Sequence, residues 1–307
     1  MALALGQGLV LPLPESLAPF PRRAQRRLDV PQMRIDALDF VRFHRCDMGA
    51  LIGARNSAQA RLADAVTRLE YEGRWLRQAR SCAADVQDVE WLLPYIEAKQ
   101  AAYGAVIYNA LFDHRGMTAV MGNTRLAADG ERATTLRRGL QAWGDLTDAR
   151  LALGDAGSAA QVAALGSALR DLEASFRLGA RRQEWRQIRE ALTTIVRGLE
   201  QRKSRLCLSG QPTPRVRRLI QVFRNYYLPW QADFAPRLNV DGRWQESWQL
   251  LLGSLQIPTV VQTWAQTIGP TGDGEWARTS AALRAHARAW EELLNGCGMQ
   301  VTDLAAA

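Results

Sequence analysis

The residues of this chain whose types could carry chemistry are four cysteines, three histidines and one polar step, Arg55-Asn56-Ser57. Cys46, Cys82, Cys207 and Cys297 are even in number but widely and irregularly spaced, with no CxxC pair to suggest a zinc site or a thioredoxin-type couple. Structural thiols or disulfides remain: bridges in an oxidising compartment, reduced and buried thiols in the cytosol. His44, His114 and His286 stand far apart with no partner at i+4, so no metal site is read from them. Glu70 with Glu72, and Glu291 with Glu292, are spaced so that they diverge on a helix, which argues against a shared acid and base. GxSxG, GxxxxGK[ST] and HExxH are absent, and Gly6-Gln7-Gly8 lacks the strand and helix of a dinucleotide loop. No catalytic residue, metal or cofactor is assigned.

Arg55, Asn56 and Ser57 form the candidate polar site. Between Ile52 and Leu62 the apolar stripe has no large residue, although the helix is expected to continue. A buried Arg or Asn must find partners, so the step reads as a polar network or kink between helices, or as a ligand or partner contact. The same expected helix bears on the thiols. If residues 47–80 are one helix, a rise of ~1.5 Å per residue puts Cys46 and Cys82 about 50 Å apart, whereas a bridge needs Cα atoms within ~7 Å. The expectation is therefore two thiols not bonded to one another, unless that helix breaks.

Apolar residues recur at threes and fours almost throughout. Leu51, Ile52, Leu62, Val66, Leu69 and Leu76 form one stripe, and Trp91, Leu92, Tyr95, Ala98, Ala102 and Val106 another. Later stripes run through Leu136–Leu146, Val162–Phe176, Trp185–Leu199, Trp244–Leu252 and Trp276–Leu294, with little strand-type alternation. Pro12, Pro14, Pro19, Pro21 and Pro31 predict an extended arm over residues 1–33, draped over a helical body of residues 34–307. Pro212 and Pro214, and Asp273-Gly274, sit where new helices would begin. Asp113–Gly130 is the longest weakly patterned stretch, a loop or a pair of short helices, and the body could divide into two subdomains near 113–130. The fold class is all-α: an elongated, antiparallel, bundle-like body of about eight to ten helices.

With 307 residues, 47% hydrophobic and 23% charged, the chain has the composition of a globular protein. No run approaches the ~18 to 20 apolar residues that span a bilayer as a helix. The net charge of +8 is carried by arginine, since Lys99 and Lys203 are the only lysines. Clusters fall at Arg22, Arg23, Arg26 and Arg27; at Arg181, Arg182, Arg186 and Arg189; and at Arg202, Lys203, Arg205, Arg215, Arg217 and Arg218. Each alternates with apolar residues at helical spacing, which reads as a solvated helix face or as a surface for acidic lipid or a polyanion. Phe223, Tyr226, Tyr227 and Trp230 form a candidate aromatic surface, either core or a platform for a peptide or sugar.

LDFVRFHRC (38–46), RNS (55–57), RLEYEGRWL (68–76) and Cys82, then YNALF (108–112) and CLSGQPTPRVRRLIQVFRNYYLPWQADF (207–234), resemble the domain of unknown function 3080 family. The family's frequent glycine after the RNS step is replaced by Ala60 and Arg61. The resemblance implies a proteobacterial protein, often predicted to be an exported lipoprotein, with a periplasmic location and a lipid anchor in the precursor; a cytoplasmic product is the alternative. It names no chemistry. The favoured function is a non-enzymatic helical cell-envelope protein that binds a protein partner or scaffolds a complex, with an acidic membrane surface as a further contact. An envelope-polymer hydrolase with an unfamiliar helical active site is the alternative. Polyanion or nucleic-acid binding is the minor one.

Overall fold

The computed structural model describes residues 17–31, 35, 37–57, 63–85, 87, 89–122, 133–173 and 178–300. Gly6, Gly8, Pro12, Pro14, Leu62 and the 123–130 half of the weakly patterned stretch lie outside the described residues. The body is all-α. Its long helices are α4 (Ala65–Asp85), α5 (Leu93–Phe112), α7 (Ala133–Ala152), α8 (Ala159–Glu173), α9 (Leu178–Glu200), α12 (Leu228–Gly253) and α14 (Glu275–Gly296). Shorter ones are α1 (Arg23–Arg26), α2 (Ala37–Phe43), α3 (Gly49–Asn56), α6 (Arg115–Met121), α10 (Lys203–Leu206), α11 (Pro214–Val222) and α13 (Thr259–Ile268). The only strands among the described residues are a two-stranded hairpin, Cys207–Leu208 with Gln211–Pro212.

Helix α5 is the central element because its C-terminal half presents no solvent face. Every residue from Ala105 to Phe112 is buried, as expected of a helical segment that is apolar nearly all round, whereas Glu97 and Gln100 in the first half face solvent. Helix α4 packs on α5, α7 on α8 and α12, and α9 on α14. Gly116 lets α6 press onto α8, since a Cβ there would lie 2.0 Å from the Leu169 carbonyl oxygen. Tryptophans fill the layer between α7 and α12: Trp143 meets Trp244 and Trp248 edge-on at 5.8 and 5.4 Å. A second, smaller core joins Leu199 and Leu206 to Val216, Leu219 and Phe223, and to Trp290, Leu293, Leu294 and Cys297.

Residues 17–31 lie across the helices through specific bonds. The Ala18 carbonyl accepts from Arg182 Nη1 at 2.9 Å and from Trp264 Nε1 at 3.3 Å. Phe20 packs against Trp264, and Leu28 exchanges two hydrogen bonds with the Asn109 side chain. Arg26, from the first basic cluster, is buried rather than solvated. It donates to the Pro21 and Phe112 carbonyls at 2.8 and 3.0 Å and lies over the Phe20 ring, and burial pushes its pKa down. Arg23 and Arg27 reach Asp113. This cluster fastens the arm to the body.

One expectation about the thiols is overturned. Cys46 and Cys82 are joined, with Cα atoms 5.3 Å apart. The single helix expected over 47–80 does not exist: a 3-10 turn, His44–Cys46, ends with Asp47 in the left-handed region, α3 closes at Ser57 in extended backbone, and α4 starts only at Ala65. The chain therefore doubles back, and Gln78 Nε2 binds the Cys46 and Asp47 carbonyls across the turn. The second bridge joins Cys207 to Cys297, Cα to Cα 5.1 Å.

Candidate functional site

From Gln201 to Ala232 the chain contains no Asp or Glu, yet it carries Arg202, Lys203, Arg205, Arg215, Arg217, Arg218 and Arg224. The fold gathers this stretch into one stitched unit. Helix α10 runs into the hairpin, whose register pairs Cys207 with Pro212 and Leu208 with Gln211. The two turn residues, Ser209 (φ 51°) and Gly210 (φ 73°), are both left-handed, the geometry of a tight two-residue hairpin. Thr213 then closes it: Oγ1 donates to the Leu206 carbonyl at 2.8 Å and accepts from Val216 N–H at 3.4 Å, capping α11. Pro214 occupies the first turn of that helix, where its missing N–H costs nothing.

Two contacts hold the unit to the end of α14. The Cys207–Cys297 bridge is one. The other is a close backbone approach, because a Cβ on Gly298 (φ 67°) would sit 3.1 Å from the Gly210 carbonyl oxygen. Helix α11 turns Val216 and Leu219 inward and leaves Arg215, Arg217 and Arg218 exposed. Lys203 pairs with Glu292 at 2.7 Å on the open surface, and that bond holds the Glu292 carboxyl below its ordinary range. Among the described residues no ion pair is made by Arg205, Arg215, Arg217 or Arg218. Leu208, on the hairpin, is 61% exposed.

Beneath the basic face lies an aromatic column. After α11 the helix widens into a π turn, Phe223–Tyr227, in which Leu228 N–H reaches the Phe223 carbonyl. The wide turn comes immediately before Pro229, which has no N–H to continue the ordinary ladder. Phe223 stacks on Tyr227 at 4.8 Å and meets Trp290 at 4.2 Å, and Tyr227 leads on to Trp230 at 5.5 Å. His286 lies against Phe223 and Tyr227, and its Nε2 accepts from Trp290 Nε1 at 3.1 Å. With no charged partner, burial lowers the His286 pKa to about 4, and burial raises Tyr227 to about 12. Of the four candidate aromatics, three belong to this column and Tyr226 stands apart, 73% exposed.

The middle arginine cluster behaves in the opposite way, and the expectation of a solvated or anion-facing stripe there is corrected. Arg181 and Arg182 are fully buried and Arg186 nearly so. Arg181 binds Asp241 through Nε at 3.2 Å and through Nη2, and binds Glu184 through Nη1. Arg182 grips Glu275 with Nε at 2.6 Å and Nη2 at 3.1 Å, and Arg186 reaches the same carboxylate at 3.2 Å. Trp185 Nε1 donates to Asp241 at 2.9 Å, and Arg237 to Glu184 at 2.9 Å. Burial pushes the Asp241 carboxyl up, against the pull of Arg181 and Trp185. Arg181, Arg182 and Arg186 are each answered by a carboxylate and lock α9 to α12 and α14; Arg189 makes no ion pair among the described residues, and burial beside Arg278 and Arg186 pushes its pKa down.

The other sequence candidates scatter. Arg55 is half-buried with its guanidinium over the Tyr71 ring at 5.9 Å; Asn56 is the last residue of α3; Ser57 caps it, Oγ donating to the Ala54 carbonyl at 2.7 Å. Glu72 is buried in an ion pair with Lys99 while Glu70 is exposed. His114 caps α6 through Nδ1 and His44 is exposed, so the three histidines share no site. No group of three or more His, Cys, Asp or Glu among the described residues could hold a metal ion, and no described helix is long and apolar enough to cross a membrane. What the sequence reading missed is the exposed leucine on a pinned hairpin, although Ser209-Gly210 directly after Cys207-Leu208 was its signal.

Residues 1–301 fit the model of a family described as protein of unknown function (DUF3080). No curated protein and no solved structure matches.

Proposed function

We propose a function from geometry, because the chain belongs to the DUF3080 family and that description carries no activity: it is a non-enzymatic binding protein of an extracytoplasmic, periplasmic compartment that engages an anionic partner through the face built from residues 201–232. The observation that carries this reading is a rigid surface of exposed arginines with no carboxylate in its own 32 residues. An unneutralised arginine surface attracts polyanions, acidic proteins and anionic lipids alike. Two disulfides support an oxidising location.

The reading as a scaffold or binder, rather than a hydrolase, rests on where the perturbed groups lie. A hydrolase needs displaced acids or bases converging in a pocket. Asp241 and His286, the displaced acid and base of the core, are enclosed in packed interior and bound to a guanidinium and an indole. The described concavities contain neither group: one of about 150 Å³ lies between α9 and α14 beside Lys203 and Glu292, and one of about 440 Å³ is lined by Asp145, Asp148 and Asp171 together with Ala149, Ala152, Ala164 and Ala168.

The test is retention on a sulfated-polymer column at neutral pH. Wild type is expected to bind and to elute with rising salt. The triple variant Arg215→Glu, Arg217→Glu, Arg218→Glu, with an unchanged circular dichroism spectrum, is expected to pass through. Equal retention of the two proteins would refute the assignment of this face.

A further inference from the structure

The basic face has a feature that an electrostatic surface alone does not require. Its hairpin presents a leucine to solvent in the middle of the cationic stretch: Leu208 is 61% exposed, with Lys203 and Arg205 before it and Arg215, Arg217 and Arg218 after it. Resting on the anionic-partner reading above, we propose that the partner is the surface of an anionic lipid bilayer, with Leu208 entering the interface and the surrounding arginines meeting lipid phosphates.

The first support is rigidity. An exposed apolar side chain on a loose loop must be ordered when it binds, and that ordering opposes association. Here the ordering exists beforehand: the turn is two residues long, Thr213 is bonded back to Leu206, Cys207 is bridged to Cys297, and Gly210 rests against Gly298. The second support is composition. The hairpin residues Cys207, Leu208, Ser209, Gly210, Gln211 and Pro212 carry no charge, so no ion has to be desolvated when the tip enters the headgroup region. The third is the flanking charge. Arginine stems lie along apolar surface while their guanidinium groups stay at phosphate level, and each cation near an anionic membrane strengthens binding by about fivefold. Binding to a membrane surface grows with the apolar area inserted and with attraction to anionic lipid, and residues 203–218 supply both.

Other surfaces serve this less well. Leu38, Phe40 and Val41 are also exposed, but Asp39 shares their short helix. Leu250 is 63% exposed at the far end of α12, where Glu246 precedes it. A soluble polyanion would be satisfied by the arginines and would leave Leu208 without a role.

The experiment is flotation of the full chain, disulfides intact, with phosphatidylcholine vesicles containing about one-third phosphatidylglycerol, beside pure phosphatidylcholine vesicles and sulfated-polymer beads. Wild type is expected to float with the anionic vesicles, to stay behind with the neutral ones and to bind the beads. Leu208→Asp is expected to lower vesicle partition by about tenfold or more, the effect of losing one buried leucine and adding a charge, with bead binding unchanged. Arg217→Glu with Arg218→Glu is expected to lower both, and Leu250→Asp neither. A thermal melt of each variant shows that it is folded. Bead binding without flotation would overturn the bilayer proposal in favour of a polyanion or acidic protein and leave the anionic-partner reading standing. Binding to neither would overturn both. Flotation of Leu208→Asp at the wild-type level would overturn the role of the leucine.

Discussion

The middle and C-terminal arginine clusters are built from the same residue at similar spacing and end in opposite states. Arg181, Arg182 and Arg186 are inside, each held by a carboxylate from a distant part of the chain. Arg205, Arg215, Arg217 and Arg218 are outside, on a unit whose position is fixed by a disulfide. The difference lies in partners. A guanidinium can be buried only when its charge is answered and its donors are used, and Asp241 and Glu275 arrive on α12 and α14 to do that. Among the described residues the outer cluster meets a distant acid only at Lys203, which pairs with Glu292, so its arginines stay in water or meet an external anion.

The comparison can be broken first at the tether of the outer cluster. Cys207→Ser with Cys297→Ser removes a cross-link spanning 90 residues, for which loop entropy gives a loss of about 4 to 5 kcal/mol. Urea unfolding is expected to show that loss, and a midpoint equal to wild type would mean that packing alone holds the hairpin. The inner cluster breaks at its shared acid. Glu275→Ala leaves Arg182 and Arg186 buried without their carboxylate, at a cost of about 3 to 5 kcal/mol. The same measurement checks it, and a loss below about 1 kcal/mol would show water reaching the pair.

These two clusters also mark what could be read from sequence. The helical periodicity was plain, and so were the starts of α11 at Pro214 and α14 at Glu275, because capping and proline rules are local. The burial of Arg181 and Arg182 was not legible, since their acids lie 60 and 93 residues away and a basic helical stripe looks alike in water or opposite carboxylates. The Cys46–Cys82 bridge was misread for a related reason. The missing apolar residue after Ile52 reads as a polar interruption in one helix, whereas the backbone turns extended at Ser57. The carboxylate-free stretch stood in the sequence throughout, but only the fold shows that its arginines are unpaired and that a leucine stands among them.

A smaller effect comes from the floor of the outer region. His286 is buried against Phe223, Tyr227 and Trp290, and its pKa is lowered from 6.5 to about 4. A histidine that stays neutral in the fold but takes a proton when unfolded leaves stability intact above pH 6.5. Stability then falls as pH drops from 6.5 to 4, by on the order of 3 kcal/mol in total, and the contribution is flat below that. His286→Gln retains an acceptor for the indole and does not titrate. It is expected to flatten that part of the profile, and an identical pH slope in variant and wild type would exclude His286 as the cause.

The smallest stability effect belongs to the outer arginines, and it sharpens the contrast most. Arg217→Ala with Arg218→Ala breaks no ion pair among the described residues and exposes no core, so the expected change is within about 0.5 kcal/mol. Removing two like charges from a stretch that carries no acid of its own relieves repulsion, which sets the sign toward slight stabilisation. Thermal melts at low and high salt separate the terms, because relief of repulsion shrinks as salt screens it. A clear, salt-independent loss would mean that these arginines hold the structure together as Arg181 and Arg182 do, and that the two clusters differ less than their surroundings indicate.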